Sequence, residues 1–410
     1  MFAGNQPGLC HHCPVKLTIV HIDPAPPTRS TPGVDFGWTD AEGELYERAR
    51  KFGGAVGGAK DGAFTFSREN WKRCGDFGLL GLSIPAAHGG MGLSAQTTAR
   101  VLEGFSRGCD DTGLAFSVAA HLFACLMPIE AFATDAVKAR LVRPLATGAA
   151  IGANAITEAE AGSDVFAQKT RAVRDADEYV LTGNKVFVTN GPEADVFLVY
   201  ASTNPAHGYL GITAFVIERS APGLTVGKRF ETIGLQGAPI GAIYLEDCRV
   251  PVENMLGSEG GGGVVFQHSM AWERACLFAT YLGVMERQLE QAMKFASERR
   301  QFGKPIARNQ AVSHRIVDMK LRSEAARLLL YKACWMLDSG EDPTLAAALA
   351  KLAVSEAAIE SGMDAIRIHG GAGVMVEAGV ERGLRDAIPS VVFSGTSEMQ
   401  RELIAKALGL

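Results

Sequence analysis

Segment 154–191 carries the residue types best suited to hold a flat ligand with a polar edge. It opens as NAITEAEAGSD and closes as GNKVFVTNG, with strand-like sequence between. Thr157, Ser163, Thr189 and Asn190 are short hydrogen-bonding side chains in an otherwise apolar or glycine-rich setting. Gly162, Gly183 and Gly191 let the backbone turn sharply or approach a ligand closely. VLTGNKVFV alternates like two short strands joined at Gly183 and Asn184, a hairpin signal. That reading puts Phe187, Thr189 and Gly191 on one strand face and Val186 and Val188 on the other. An aromatic ring two residues from a hydroxyl suits a heteroaromatic ligand, the ring stacking and the hydroxyl bonding an edge. An ordinary hairpin with its aromatic turned to a core has the same pattern, and on this stretch alone that reading is the better one.

Cys10, His11, His12 and Cys13 form the other tight group, and thiolates and imidazoles are the usual zinc ligands. Four consecutive residues cannot wrap one tetrahedral ion, however, and no second CxxC pair accompanies them. The proline-rich run after them is poor core material, so residues 1–35 are expected to be a disordered tail and no metal site is expected.

The elements that must position the central segment fall into three blocks. Residues 36–152 read as helical: Thr39 or Asp40 and Ser67 are candidate caps, 94–107 and 111–133 are apolar helices, and 135–145 is a shorter one. Met127-Pro128 marks an expected break in the second of these. His121 within it reads as a core histidine. Residues 153–258 change to short β-branched or aromatic runs at 179–182, 186–189, 196–201, 213–217 and 242–245. Gly260 to Gly263 read as a flexible joint. Residues 259–410 return to long apolar helices at 264–299, 310–338, 344–368 and 395–408, which pack as a bundle. The class is therefore multidomain α+β. Gly370, Gly371 and Gly373 come after a helix rather than a strand, which excludes a dinucleotide fingerprint.

Composition narrows the function classes. The 410 residues are 47% hydrophobic and 21% charged, with net charge −5, an ordinary balance for a large-cored globular chain and a poor one for a nucleic-acid binder. No run of eighteen apolar residues marks a membrane span, and the N-terminus lacks a secretory pattern. Eight scattered cysteines suit reduced thiols in the cytoplasm.

AITEAEAGSD resembles the TEPxAGSD signature of the acyl-CoA dehydrogenase family, and GNKVFVTNG resembles that family's GxKxWITNG strand. ERRQFGKPI (298–306), IRIHGGAG (366–373) and FSGTSEMQR (393–401) are similar to three further family motifs in the same order. The resemblance implies an N-terminal helical domain, a middle β domain, a C-terminal four-helix bundle and bound FAD. It implies that Ile156 and Thr157 meet the flavin pyrimidine edge, with Gly162 beside them. Phe187 covers one ring face, Thr189 bonds near N5 and Ser163 reaches the pyrophosphate. Arg299, Gln301 and Phe302 are implied to serve the FAD of a neighbouring subunit, with Arg367 and Gly371 meeting that same cofactor, Arg367 where the family usually has Gln. Thr396 and Glu398 hold the adenosine side. A homodimer or homotetramer is implied as well.

Ser394 departs from the family pattern, since many members carry the catalytic glutamate there and serine cannot take an α-proton at neutral pH. A minority of the family places that glutamate in a Glu-Arg pair on the long helix, and Glu273-Arg274 matches it. Glu273 is then the implied base. Trp272 and Arg274 are implied to contact substrate, and the Ser394 backbone N–H serves the thioester oxygen. A glutamate sealed beside Trp272 and Phe278 has its pKa pushed up by desolvation. ASTNPAHG (201–208), MAWE (270–273) and DMKLR (318–322) are similar to the branch of the family that oxidises prolyl groups on peptidyl carrier proteins. The implied substrate is an acyl or aminoacyl thioester on a carrier protein in secondary metabolism. The implied electron acceptor is an electron-transfer flavoprotein or oxygen. A short branched-chain acyl-CoA dehydrogenase, and a flavoprotein of this fold without dehydrogenase activity, are the alternatives.

Overall fold

In a computed structural model, residues 37–57 and 64–410 are described. The expected tail and its Cys-His-His-Cys group lie outside them. Residues Asp40–Leu410 form one unit.

Helices begin where short polar side chains satisfy orphan backbone donors. The first block holds α1 (Asp40–Val56), α2 (Arg68–Phe77), α3 (Ala95–Gly108), α4 (Thr112–Ala120), α5 (Met127–Phe132) and α6 (Asp135–Ala146). Ser67 caps α2 and Ser94 caps α3, while Asp111 accepts from Leu114 N at 3.0 Å to start α4. The expected break at Pro128 does not occur. A π turn, His121–Leu126, joins α4 to α5 without interruption. The wider turn accommodates a proline that lacks an N–H and would crowd the preceding carbonyl of a tight α turn. Thr112–Phe132 is long and apolar enough to cross a membrane, but its most apolar stretch is 94% buried inside the protein.

The middle block is one mixed sheet. Its strands are β1 (Gly152–Ala155), β2 (Arg171–Asp175), β3 (Glu178–Thr189), β4 (Val196–Ser202), β5 (Ile212–Glu218), β6 (Leu224–Arg229), β7 (Ile240–Pro251) and β8 (Met255–Leu256). The order is β6-β7-β3-β2-β4-β5-β8, with β1 parallel to β4. The hairpin expected at Gly183 is absent. β3 passes straight through, antiparallel to β7, with a register shift between Leu181 and Gly183. Glycine is needed there because a Cβ would collide with Thr170.

The last block runs α7 (Gly262–Trp272), a second π turn (Glu273–Leu277), α8 (Ala279–Glu298), the hairpin β9 (Arg300–Gln301) and β10 (Lys304–Pro305), α9 (Gln310–Asp338), α10 (Thr344–His369), α11 (Val380–Ala387) and α12 (Ser397–Ala407). The helix expected over 264–299 runs as α7, the π turn and α8, with only Phe278 between them leaving the helical pattern. Leu289, Ala292, Ala296, Met319, Ala365 and Ile368 bury the seam where α8, α9 and α10 meet. Small residues let these helices approach closely. Gly262 and Gly263 are packed rather than loose: a Cβ on the first would sit 2.8 Å from Ile212 O, and one on the second would enter the Tyr209 ring.

Candidate active site

A buried lysine joins the two ends of segment 154–191. Lys185 Nζ donates to Glu158 Oε1 (2.8 Å), Gln168 Oε1 (2.6 Å) and the Ile156 carbonyl (3.0 Å). Burial pushes the Lys185 ammonium down to about 8 against the pull of Glu158. Burial works to raise the Glu158 carboxyl, but Lys185 and the backbone N–H groups of Lys169 and Thr170 hold it below the usual range. Val186 N also donates to Thr157 O at 2.9 Å. Ile156, Thr157 and the 185–189 stretch of β3 are therefore locked side by side.

Phe187 stands out from this frame. It takes a left-handed backbone, φ 56°, inside a second register shift of β3 against β7. Its ring is 67% exposed, while Lys185 and Val188 are buried. The simple alternation expected for Phe187, Thr189 and Gly191 is corrected here: the bulge turns Phe187 outward, Thr189 is half-buried and Gly191 is buried. Phe230 lies edge-on to Phe187 at 6.0 Å. Gly162 has open space where a Cβ would be, and Ser163 beside it is exposed. An exposed aromatic face, flanking hydroxyls and an open glycine loop fit a flat ring with an anionic tail.

Glu273 is the other focus. It begins the π turn, is 7% exposed, and has both carboxylate oxygens occupied. Ser269 Oγ, one turn back, donates to Oε1 at 3.1 Å, and Ser394 Oγ donates to Oε2 at 2.7 Å. Burial raises the Glu273 pKa, opposed by the two hydroxyls and by Arg274. Arg274 turns its Nε to the Ser394 carbonyl at 3.0 Å. Trp272 stacks on Phe123 of the first π turn, centroids 6.1 Å apart.

Helix α4 connects the two foci. Asn190, at the end of the flat-ligand strand, is buried and hydrogen-bonded to the Ser117 side chain; its Nδ2 also donates to Ser117 O at 3.1 Å. The neighbouring Phe116 packs on Phe393, centroids 4.6 Å apart, next to Ser394. His121 is satisfied on both nitrogens, by Gly152 N and Leu145 O, and burial holds its pKa down to about 4. It is a core histidine, as its sequence setting implies.

Family models place this arrangement. Residues 41–149 match the acyl-CoA dehydrogenase N-terminal domain, 153–248 the middle domain and 260–409 the C-terminal domain. The chain belongs to the acyl-CoA dehydrogenase family. It is 54% identical over 346 residues to an L-prolyl-[peptidyl-carrier protein] dehydrogenase of Pseudomonas fluorescens, covering 84% of this chain and 91% of that protein. A Serratia protein of the same description is 42% identical over 381 residues, 92% and 99% of the two chains. The solved structure of PigA with FAD and proline matches with a TM-score of 0.89 at 42% identity, over 92% of this chain and 99% of that one.

The remaining residues implied by the sequence are placed as follows in this acyl-CoA dehydrogenase. Arg299, Gln301 and Phe302 are exposed, and Phe302 at the tip of the β9–β10 hairpin is 96% so. Arg367 is exposed near Asp364 (3.4 Å), and Gly371 is exposed with open space at its Cβ position. Thr396 caps α12 by accepting from Met399 N at 3.2 Å, and Glu398 is exposed in its first turn. Three site residues went unread in the sequence. Ser269 had a signal, lying four residues before Glu273 on one helix face. Glu158 stands inside the signature itself. Lys185 gave none, since a lysine in a strand ordinarily faces water.

Proposed function

We propose that the chain catalyses FAD-dependent α,β-dehydrogenation of a thioester-bound acyl group, specifically a prolyl group on a peptidyl carrier protein. The observation that carries the reading is the Glu273 carboxylate, buried and held by two hydroxyls. Burial makes it a stronger base than an exposed glutamate, which suits a weakly acidic C–H alpha to a thioester. Bound flavin supplies the hydride acceptor for the β-hydrogen. In the first round Glu273 takes the α-proton and the Cα–Cβ bond becomes double with loss of two hydrogens; the second round removes two more from the remaining ring carbons, since Cα then carries none. Two rounds convert prolyl to pyrrolyl. The relatives described as prolyl-carrier-protein dehydrogenases, and PigA solved with FAD and proline, support this substrate.

On the cofactor side, Phe187 would cover the ring, Thr157 and Thr189 would bond its edge, and Ser163 at the open Gly162 loop would take the pyrophosphate. Arg299, Gln301 and Phe302 would complete a partner's site, with Arg367, Gly371, Thr396 and Glu398 lining it. The exposed apolar stripe Val317, Leu321, Leu328 and Trp335 along α9 supports a homotetramer, which light scattering tests. The electron acceptor is an electron-transfer flavoprotein or oxygen. The six described cysteines are free and buried, which suits the reducing cytoplasm.

The decisive experiment compares wild type with Glu273→Gln on prolyl-loaded carrier protein. The amide keeps the shape, so FAD stays bound while flavin reduction falls on the order of 10²-fold or more. Mass spectrometry should find the wild-type product lighter by about four mass units, one proton and one hydride per round. Wild-type rates in Glu273→Gln would overturn the assignment of the base. Turnover of free acyl-CoA in preference to the carrier thioester would favour the branched-chain alternative.

A further inference from the structure

Ser394 stands where many relatives supply the catalytic carboxylate, yet the structure has not left that position idle. Its hydroxyl points at Glu273 across 121 residues of sequence. The loop that delivers it is fixed from three sides. Arg274 Nε and Gln400 Nε2 hold the Ser394 carbonyl at 3.0 and 3.3 Å, and Gln400 Nε2 also holds the Gly395 carbonyl at 3.1 Å. Phe393 is packed among Phe116, Phe278 and Tyr281, with centroids 4.6, 5.4 and 6.3 Å away. Ser394 itself has φ 53°, a left-handed backbone that few residues other than glycine adopt readily. Strain of this kind persists only where the surroundings over-determine it.

We infer that Ser394 is a positioning residue for the base: its hydroxyl, paired with that of Ser269, orients the Glu273 carboxylate and keeps it ionisable in a buried site. The inference rests on Glu273 being the base. A hydroxyl that donates to a carboxylate favours the charged form, because the protonated acid would bring a second donor to the same contact. Each hydroxyl takes one oxygen of the carboxylate, and each oxygen keeps a lone pair to accept a proton from carbon. Donors on opposite oxygens, the shorter from Ser394, also restrain the carboxylate from rotating about its Cγ–Cδ bond. The loop position has thus changed from supplying the base to holding it.

The other charged groups around that turn do not provide this support equally. Arg274 is beside Glu273 and lowers its pKa, but its Nε is directed to the Ser394 carbonyl. Burial raises the pKa of Tyr200 on β4, and the Glu273 charge adds to it. Lys351 of α10 lies beyond Arg274. Glu103 of α3 is bonded to Arg327 and Tyr331, His121 to Gly152 and Leu145, and Cys334 of α9 to Ala275 O behind the turn. None of these contacts uses the Ser394 hydroxyl.

The test needs no substrate. pH-difference infrared spectra of the FAD-loaded protein track the Glu273 carboxyl, whose band is the one lost in Glu273→Gln. Removing one hydrogen bond to a charged group should move its midpoint upward by about one to two pH units. Both Ser394→Ala and Ser394→Gly should show the shift, and Ser269→Ala a smaller one in the same direction. Glycine suits the left-handed backbone, so a shift in Ser394→Ala alone would mean backbone strain and would overturn the inference. An unchanged midpoint in both Ser394 variants would also overturn it. Flavin reduction by prolyl-loaded carrier protein adds a second readout: the pH at which the rate rises should move with the infrared midpoint. Normal reduction in Glu273→Gln refutes the base assignment instead, so the two failures are distinct.

Discussion

Replacing Lys185 by Met tests whether the flat-ligand cradle is held by charge. Methionine fills a similar volume and removes the ammonium. Glu158, 5% exposed, is then left with only the Lys169 and Thr170 backbone donors. The Ile156 carbonyl and Gln168 Oε1 lose their donor as well. Breaking a buried pair by removing one partner costs about 3–5 kcal/mol, mainly because the remaining charge is uncompensated. That is a large share of the ~5–15 kcal/mol that stabilises an ordinary domain. Because Ile156 and Thr157 lose their anchor to β3, FAD retention should fall together with stability. The double variant Lys185→Met with Glu158→Gln should recover part of the loss, since the amide oxygen still accepts from the backbone without bringing a charge. Urea unfolding and the flavin absorbance of the purified variants measure both effects. A single variant that loses under ~1 kcal/mol, or a double variant no better than the single, would refute the reasoning.

Two further outcomes are expected. His121 titrates near 4 when folded and near 6.5 when unfolded, so the unfolded chain binds the proton first as pH falls. Its contribution is intact above the unfolded pKa and is lost on descending to about 4, a change of about 3 kcal/mol that His121→Leu should abolish; equal slopes of unfolding free energy against pH in the two proteins would contradict this. Phe302→Asp introduces a residue type that tolerates the left-handed backbone there and places charge on the most exposed aromatic among the described residues. It should lower the mass measured by light scattering while leaving the circular dichroism unchanged; an unaltered mass would remove Phe302 from the assembly contact.

Periodicity and capping chemistry made the helical blocks legible. Ser67 and Ser94 cap as their residue types imply, and α9 spans 310–338 as the apolar spacing implies. The π turns were not legible, because a turn widened by one residue leaves composition unchanged and only shifts which face later residues occupy. The alternation around Gly183 fits a hairpin as well as one bulged strand; the choice was made by β7, whose pairing lies about sixty residues downstream in sequence. Glu273 and Ser394 were each marked in the sequence, one by a Glu-Arg pair and the other by a missing carboxylate. That they touch was not, since it depends on how α7 and the loop before α12 fold back on one another.

The π turn at Glu273 sets a frame for everything upstream of it. One added residue in a helix rotates the segment before it by about 100° relative to the segment after it. The turn therefore acts as the angular adjustment between α7 and α8: α8 is fixed in the bundle by Leu289, Ala292 and Ala296, and α7 is fixed against the sheet by Gly262 and Gly263. Shortening the turn after Glu273 by a single residue would restore ordinary helix and swing the carboxylate, together with Ser269 on the same helix, out of line with Ser394. The base is thus aimed by chain length as much as by chemistry.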